Sequence, residues 1–137
     1  MSVQRLLPLS LPVILAGCSA MVPVHITGSL QQPVAVFGQS ADKHERVCLD
    51  SLRVVERAGD ETIPIWSIQL RGRGCQRLTQ VAYGQIPSRF EEIEASKPLK
   101  EGVAYTVMGT GKTGPTRVPF RGGGTYVFRD GRWQPDA

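Results

Sequence analysis

The side chains in this chain that could do chemistry are few. Three cysteines, Cys18, Cys48 and Cys75, could serve as nucleophiles, metal ligands or a disulfide pair. Two histidines, His25 and His44, could carry protons or bind a metal. Glu91, Glu92 and Glu94 place three carboxylates in four positions, which could imitate an acid–base pair. Residues 109–114 read GTGKTG, close in composition to a phosphate loop. None of these forms a catalytic constellation. Nucleophilic catalysis needs a positioned base, yet His25 lies near the N-terminus and His44 in a charged loop, ADKHER. The three glutamates read as a solvated acidic face. A phosphate loop needs a glycine five residues before Gly111, where Thr106 stands, and a helix after the lysine. Pro115, Pro119 and Gly122-Gly123-Gly124 follow instead. Two isolated histidines do not complete a metal site around the cysteines. The expectation is a protein that is not an enzyme, with no nucleotide, metal or other cofactor.

The segments that must position these residues carry a two-residue period. Residues 33–37 alternate around Val34 and Val36. Residues 46–55 carry Val47, Leu49, Leu52, Val54 and Val55. Residues 62–70 read Ile63, Ile65, Trp66, Ile68 and Leu70, with Ser67 and Gln69 between them. Similar runs cover 76–83, 103–108 and 125–129. Such alternation, rich in β-branched and aromatic residues, predicts half-buried strands. Arg71-Gly72-Arg73-Gly74, Ala58-Gly59-Asp60 and Asp130-Gly131 read as turns, the last a type I′ hairpin signal. The predicted fold is all-β: an antiparallel β-sandwich or small barrel of roughly seven or eight strands, with at most one short helix. Residues 86–96 are the segment for that short helix or a loop, because Ser88 and Glu91 have capping-box spacing. Residues 109–124, rich in Gly and Pro, are the longest predicted loop.

The N-terminus has a different character. Arg5 precedes an apolar stretch over residues 6–16, eleven residues interrupted by Pro8, Ser10 and Pro12. A spanning helix needs roughly 20 apolar residues, so this one is too short. A basic start, a short apolar run and small residues after it predict a secretory signal peptide over residues 1–17. Leu15-Ala16-Gly17-Cys18 resembles the lipobox of bacterial lipoprotein precursors. That resemblance implies cleavage before Cys18 and acylation of its sulfur and new amino group. A thiolate is the side-chain nucleophile best suited to accept a lipid. Several acyl chains, at about 0.8 kcal/mol per buried methylene, make a durable membrane anchor. In lipoprotein families a non-acidic residue after the cysteine, here Ser19, goes with export to the outer membrane. The expected organisation is a signal peptide over 1–17, a lipidated tether over 18–23 and one β-rich periplasmic domain over 24–137.

Cleavage would leave 120 residues, enough for one domain with its own core. It would carry 15 basic residues against 12 acidic ones, scattered along the chain, which does not argue for nucleic acid. Cys48 and Cys75 then remain. A buried free pair and a metal site are alternatives, but in an oxidising compartment the simplest reading is a disulfide. It would close a loop of roughly 27 residues and stabilise by about 3 kcal/mol. Twelve of the 16 basic residues are arginine, and Arg71, Arg73, Arg117, Arg121, Arg129 and Arg132 lie in or beside turns. Arginine suits recognition of carboxylate or phosphate groups.

From residue 45 to 130 the chain resembles small bacterial lipoproteins described as type VI secretion immunity proteins. The residues that carry the resemblance are Val47-Cys48-Leu49, Trp66, Tyr83-Gly84, Pro87, Phe90, Pro98-Leu99, Gly102, Tyr105 and Phe128. It implies a β-rich domain, a membrane anchor through Cys18 and a protein partner, a secreted toxin. Some of these proteins neutralise lipase toxins in the periplasm. Loops on a rigid scaffold commonly carry binding. The expected partner-binding residues are therefore Arg71, Arg73, Lys112, Arg117 and Arg121, with Trp133 as an aromatic anchor. A structural or assembly lipoprotein of an envelope or secretion machine would need the same anchor and fold.

Overall fold

The computed structural model describes residues 20–40, 43–115 and 117–136. The predicted signal peptide and the acylation site at Cys18 lie outside them. Eleven strands make up one sheet: β1 (Ala20–Gly28), β2 (Pro33–Ser40), β3 (Lys43–His44), β4 (Val47–Ala58), β5 (Glu61–Leu70), β6 (Gln76–Leu78), β7 (Gln80–Ala82), β8 (Phe90–Glu94), β9 (Ala104–Thr113), β10 (Val118–Arg129) and β11 (Arg132–Pro135). The order is β3-β2-β1-β10-β9-β4-β5-β8, with β11 on β10, β6 on β4 and β7 on β2. The chain is all-β, as its alternation predicts, and the sheet curls into a half-barrel.

Curling follows from one short segment. β6 pairs with the start of β4, from Val47↔Leu78 to Leu49↔Gln76. β7, one residue later, pairs with β2 through Ala35↔Val81. β2 and β4 are separated in the order by β1, β10 and β9. Residues 76–82 therefore tie together two strands that lie far apart in the sheet, and the faces between them turn inward. The enclosed residues form the core: Val22, Val24, Phe37, Val47, Leu49, Leu52, Trp66, Ile68, Val107 and Phe120 are all buried. Leu52 and Val54 alternate with exposed Arg53, so one sequence period separates core from solvent.

Four expectations are corrected. The sheet is mixed and not purely antiparallel, because β1 runs parallel to β10 from Ala20↔Phe120 to Pro23↔Gly123. Hence Ala20–Pro23 belongs to a strand and not to a tether. Val22 and Val24 are inward and buried while Met21 and Pro23 face out, an alternation that anchors the segment in the core. Residues 86–96 hold no helix. β8 pairs with β5, burying Phe90 and leaving Glu91 to Glu94 in water. Acidic side chains on an edge strand oppose further pairing.

The Gly/Pro-rich stretch 109–124 is not a long loop but the body of the β9–β10 hairpin, turning only at 114–117. Its glycines meet close neighbours. A Cβ on Gly111 would come within 2.0 Å of the Cys48 carbonyl oxygen, and one on Gly122 within 2.5 Å of the Val22 carbonyl oxygen. Glycine in a strand often marks such close backbone approach. The Asp130-Gly131 turn forms as predicted, with φ of 54° and 76°.

All three tyrosines fix the barrel end away from the 114–117 turn. The Tyr126 hydroxyl donates to the Val24 carbonyl. Tyr105 accepts from the Lys100 amide at 2.7 Å, and Tyr83 bonds both backbone groups of Lys97. Burial raises each phenol, pushing Tyr83 up to about 12 and moving Tyr105 and Tyr126 in the same direction. A raised phenol keeps its proton longer in the folded chain than in the unfolded one. The stability it supports is complete below pH 10 and is lost as pH rises from there toward about 12. Denaturation at stepped alkaline pH should show this fall, and Tyr83→Phe should make it shallower. Native-state phenolate absorbance rising at the ordinary tyrosine value would contradict it.

Candidate partner-binding surface

Strand directions bring several connections to one end of the barrel. β4, β10 and β1 begin there, and β5, β6 and β9 finish there. One row across the sheet contains Ala20, Phe120, Gly111, Leu49 and Gln76. Two turns project from this end, residues 71–75 and 114–117. The first is exposed and carries Arg71 and Arg73. Its base is held at two points: the Arg71 amide donates to the Arg89 carbonyl at 2.7 Å, and Cys75 is disulfide-bonded to Cys48 with Cα atoms 5.1 Å apart. The second turn places Lys112 just before it and Arg117 at its close, where Arg117 donates its amide to the Gly114 carbonyl at 3.2 Å.

Five of the six residues predicted for binding therefore share one region. Arg71, Arg73, Lys112 and Arg117 are exposed at this end. Arg121 is exposed on the outer face of β10, opposite Thr110 on β9 and Met21 on β1. Trp133 does not join them. It lies on β11 toward the opposite end, half-buried edge-on against Phe128 at 5.3 Å and Tyr105 at 6.2 Å. Its indole N–H donates to the Ser29 carbonyl at 3.1 Å. Those contacts make it a packing residue at the sheet's edge, apart from the arginines it was expected to join.

Arg46 and Arg77 were not among the expected residues, yet the fold adds them. Register places Arg77, Cys48 and Lys112 side by side across β6, β4 and β9. Cross-strand partners share a face, and Arg46 lies two residues before Cys48. Arg46, Arg77, Lys112 and Arg117 line a groove of about 260 Å³ together with Cys48, Thr113, Gly114 and Pro115. Arg46 could have been found from the two-residue period. Arg77 could not, since only the pairing of β6 with β4 brings it there.

Farther along the outer face the surface becomes mixed. At a bulge in β4 the Thr110 hydroxyl donates to Asp50, and Thr110 also bonds Ser51. Arg53, Met108 and the 56 % exposed Ile93 line a shallow groove with Arg121. Inside the barrel the free space between Trp66, Tyr83, Tyr105 and Trp133 is only about 30 Å³. One water would fill it, so the interior is a packed core and not a ligand chamber. Among the described residues, no group of three His, Cys, Asp or Glu side chains could hold a metal ion.

No family model, curated protein or solved structure matches the chain.

Proposed function

We propose that this chain is a membrane-anchored periplasmic lipoprotein that binds and neutralises a type VI secretion toxin. The observation that carries the binding role is the turn at 71–75. It presents two exposed arginines from a base braced by the Cys48–Cys75 bond and the Arg71–Arg89 backbone bond. A braced loop loses little freedom when it binds, and that favours affinity. Arginine pairs bidentately with carboxylates, such as those that line hydrolase clefts. The lipobox-like Leu15-Ala16-Gly17-Cys18 supplies the anchor in this reading. Tethering then raises the effective concentration of the binder wherever a toxin attacks the membrane, which suits a lipase as the toxin.

Competition between sister cells tests the proposal. A strain lacking this gene should be killed by its own parent when the parent's secretion system is active. The native gene should restore survival. Arg71→Glu with Arg73→Glu should restore it poorly, because like-charge contacts cost several kcal/mol at an interface. Equal survival of deleted and intact strains would remove the immunity reading and favour an assembly role in the envelope.

A further inference from the structure

We propose that the groove of Arg46, Arg77, Lys112 and Arg117 takes phosphate groups of anionic lipid headgroups and seats the domain on the membrane in one orientation. Among the described residues, four cations line it and no carboxylate does. The groove-lining Thr113 hydroxyl donates to Glu45 at 3.0 Å, so one described carboxylate stands at the edge against four cations and the balance stays positive. The groove floor is rigid: Cys48 is paired on both sides, to Arg77 and to Lys112, and is bonded to Cys75. Arginine forks match phosphate oxygens bidentately, and the lysine adds a point charge. The opposite end of the barrel has no such bias. Its turns mix Arg57 with Asp60 and Glu61, Lys100 with Glu101, and Arg129 and Arg132 with Asp130.

Position selects lipid as the source of the phosphate. β1 starts in the same row as Phe120 and Gly111, next to Lys112. Strands spaced by about 4.8 Å put Ala20 roughly 10–15 Å from the groove. Cys18 precedes Ala20 by two residues, which span at most about 7 Å. The choice of lipid over a free phosphate thus rests on the anchor at Cys18 proposed above. A domain anchored there holds its cationic groove within roughly 17–22 Å of the anchor, about two Debye lengths, so a tilt of the domain brings the groove onto the headgroups.

The test uses the chain from residue 18 with Cys18→Ser, which carries every described strand and the whole core but no lipid. Sedimentation with vesicles of phosphatidylcholine, with and without phosphatidylglycerol, reads the groove alone. Binding should require phosphatidylglycerol and weaken with salt. Each cation near an anionic surface contributes about a fivefold change in partitioning. Replacing Arg46, Arg77, Lys112 and Arg117 by glutamine should therefore reduce it by roughly several hundredfold. Replacing Arg57, Lys100, Arg129 and Arg132 by glutamine, at the other end, should leave most of it. Circular dichroism checks that both variants keep the fold. Equal losses in the two variants would reduce the effect to net charge and overturn the site. Binding of inorganic phosphate without vesicle binding would overturn lipid as its source. The mass of native Cys18 separately decides the anchor, because the vesicle result does not need the acyl chains.

Discussion

Trp66→Ala should lower the stability of the domain by about 3–5 kcal/mol, the usual cost of deleting a buried Trp side chain. Trp66 is 1 % exposed and is the largest of the fully buried side chains. It packs edge-on against Tyr83 at 5.1 Å and donates its indole N–H to Glu92 at 3.0 Å. One residue thus joins β5 to β8 and to the segment following β7. Removing it leaves a cavity beside the apolar centre already formed by Val54, Leu99 and Tyr105, and neighbouring strands cannot collapse far into it because their registers are fixed by backbone pairing. Total stability for a domain of this kind is about 5–15 kcal/mol, so the variant should lose at least about a fifth of it. Trp66→Phe keeps an aromatic filler and returns the Glu92 carboxylate to water, and should cost far less. Urea midpoints of the two variants measure the difference. A Trp66→Ala loss below about 1 kcal/mol would contradict the placement of this side chain.

Replacing Cys48 and Cys75 together by serine should cost about 3 kcal/mol and lower the melting temperature by roughly 10 °C. The bond spans 27 residues of sequence and ties β4 to the start of β6. β6 pairs with β4 through only three residues, and with β7 it forms the segment that curls the sheet. Without the bond that segment is held by few backbone hydrogen bonds and by the burial of Val81. Hydrogen exchange should therefore rise first over residues 71–82, and not across β4, β9 and β10. The same change frees the Arg71–Gly74 turn, so the serine variant should also protect poorly against a toxin even where it remains folded. Reduction of the native protein should reproduce both effects. Unchanged exchange over 71–82 after reduction would show that β6 and β7 hold without the bridge.

The parts of this fold legible in the sequence are those with unbroken alternation. Val47, Leu49, Leu52 and Val54 in β4, and Ile65, Trp66 and Ile68 in β5, are buried much as their spacing predicts. The Cys48–Cys75 pair followed from the compartment implied by the N-terminus, and the strands bring it together. Only the first half of β10, residues 118–124, was hidden, and for a physical reason. Glycines at 122, 123 and 124 carry a loop signal in sequence, but here they let a strand pass close to Val22, Val107 and Tyr126. β8 was hidden because only Phe90 of its five residues is buried, so its alternation is that of an edge strand in water. β1 was hidden by its neighbour. The lipobox-like Leu15-Ala16-Gly17-Cys18 implies a tether after it, while Val22 and Val24, two and four residues past Ala20, carry a strand period. At the candidate surface, turn composition alone places Arg71, Arg73, Lys112 and Arg117 in or beside exposed turns, where the structure has them. Arg77 depends on the pairing of β6 with β4, and the half-burial of Trp133 on its contacts with Tyr105 and Ser29, segments far apart in sequence that no local pattern encodes.

The proposed membrane anchor depends on what the cell does with Cys18. Mass spectrometry of the protein extracted from membranes of its own host measures that directly. A mature chain beginning at Cys18, carrying a thioether-linked diacylglycerol and an amide-linked acyl chain, is the predicted result. A chain that retains Met1, or that begins at Cys18 with a free thiol, would contradict the anchor and with it the orientation proposed for the cationic groove.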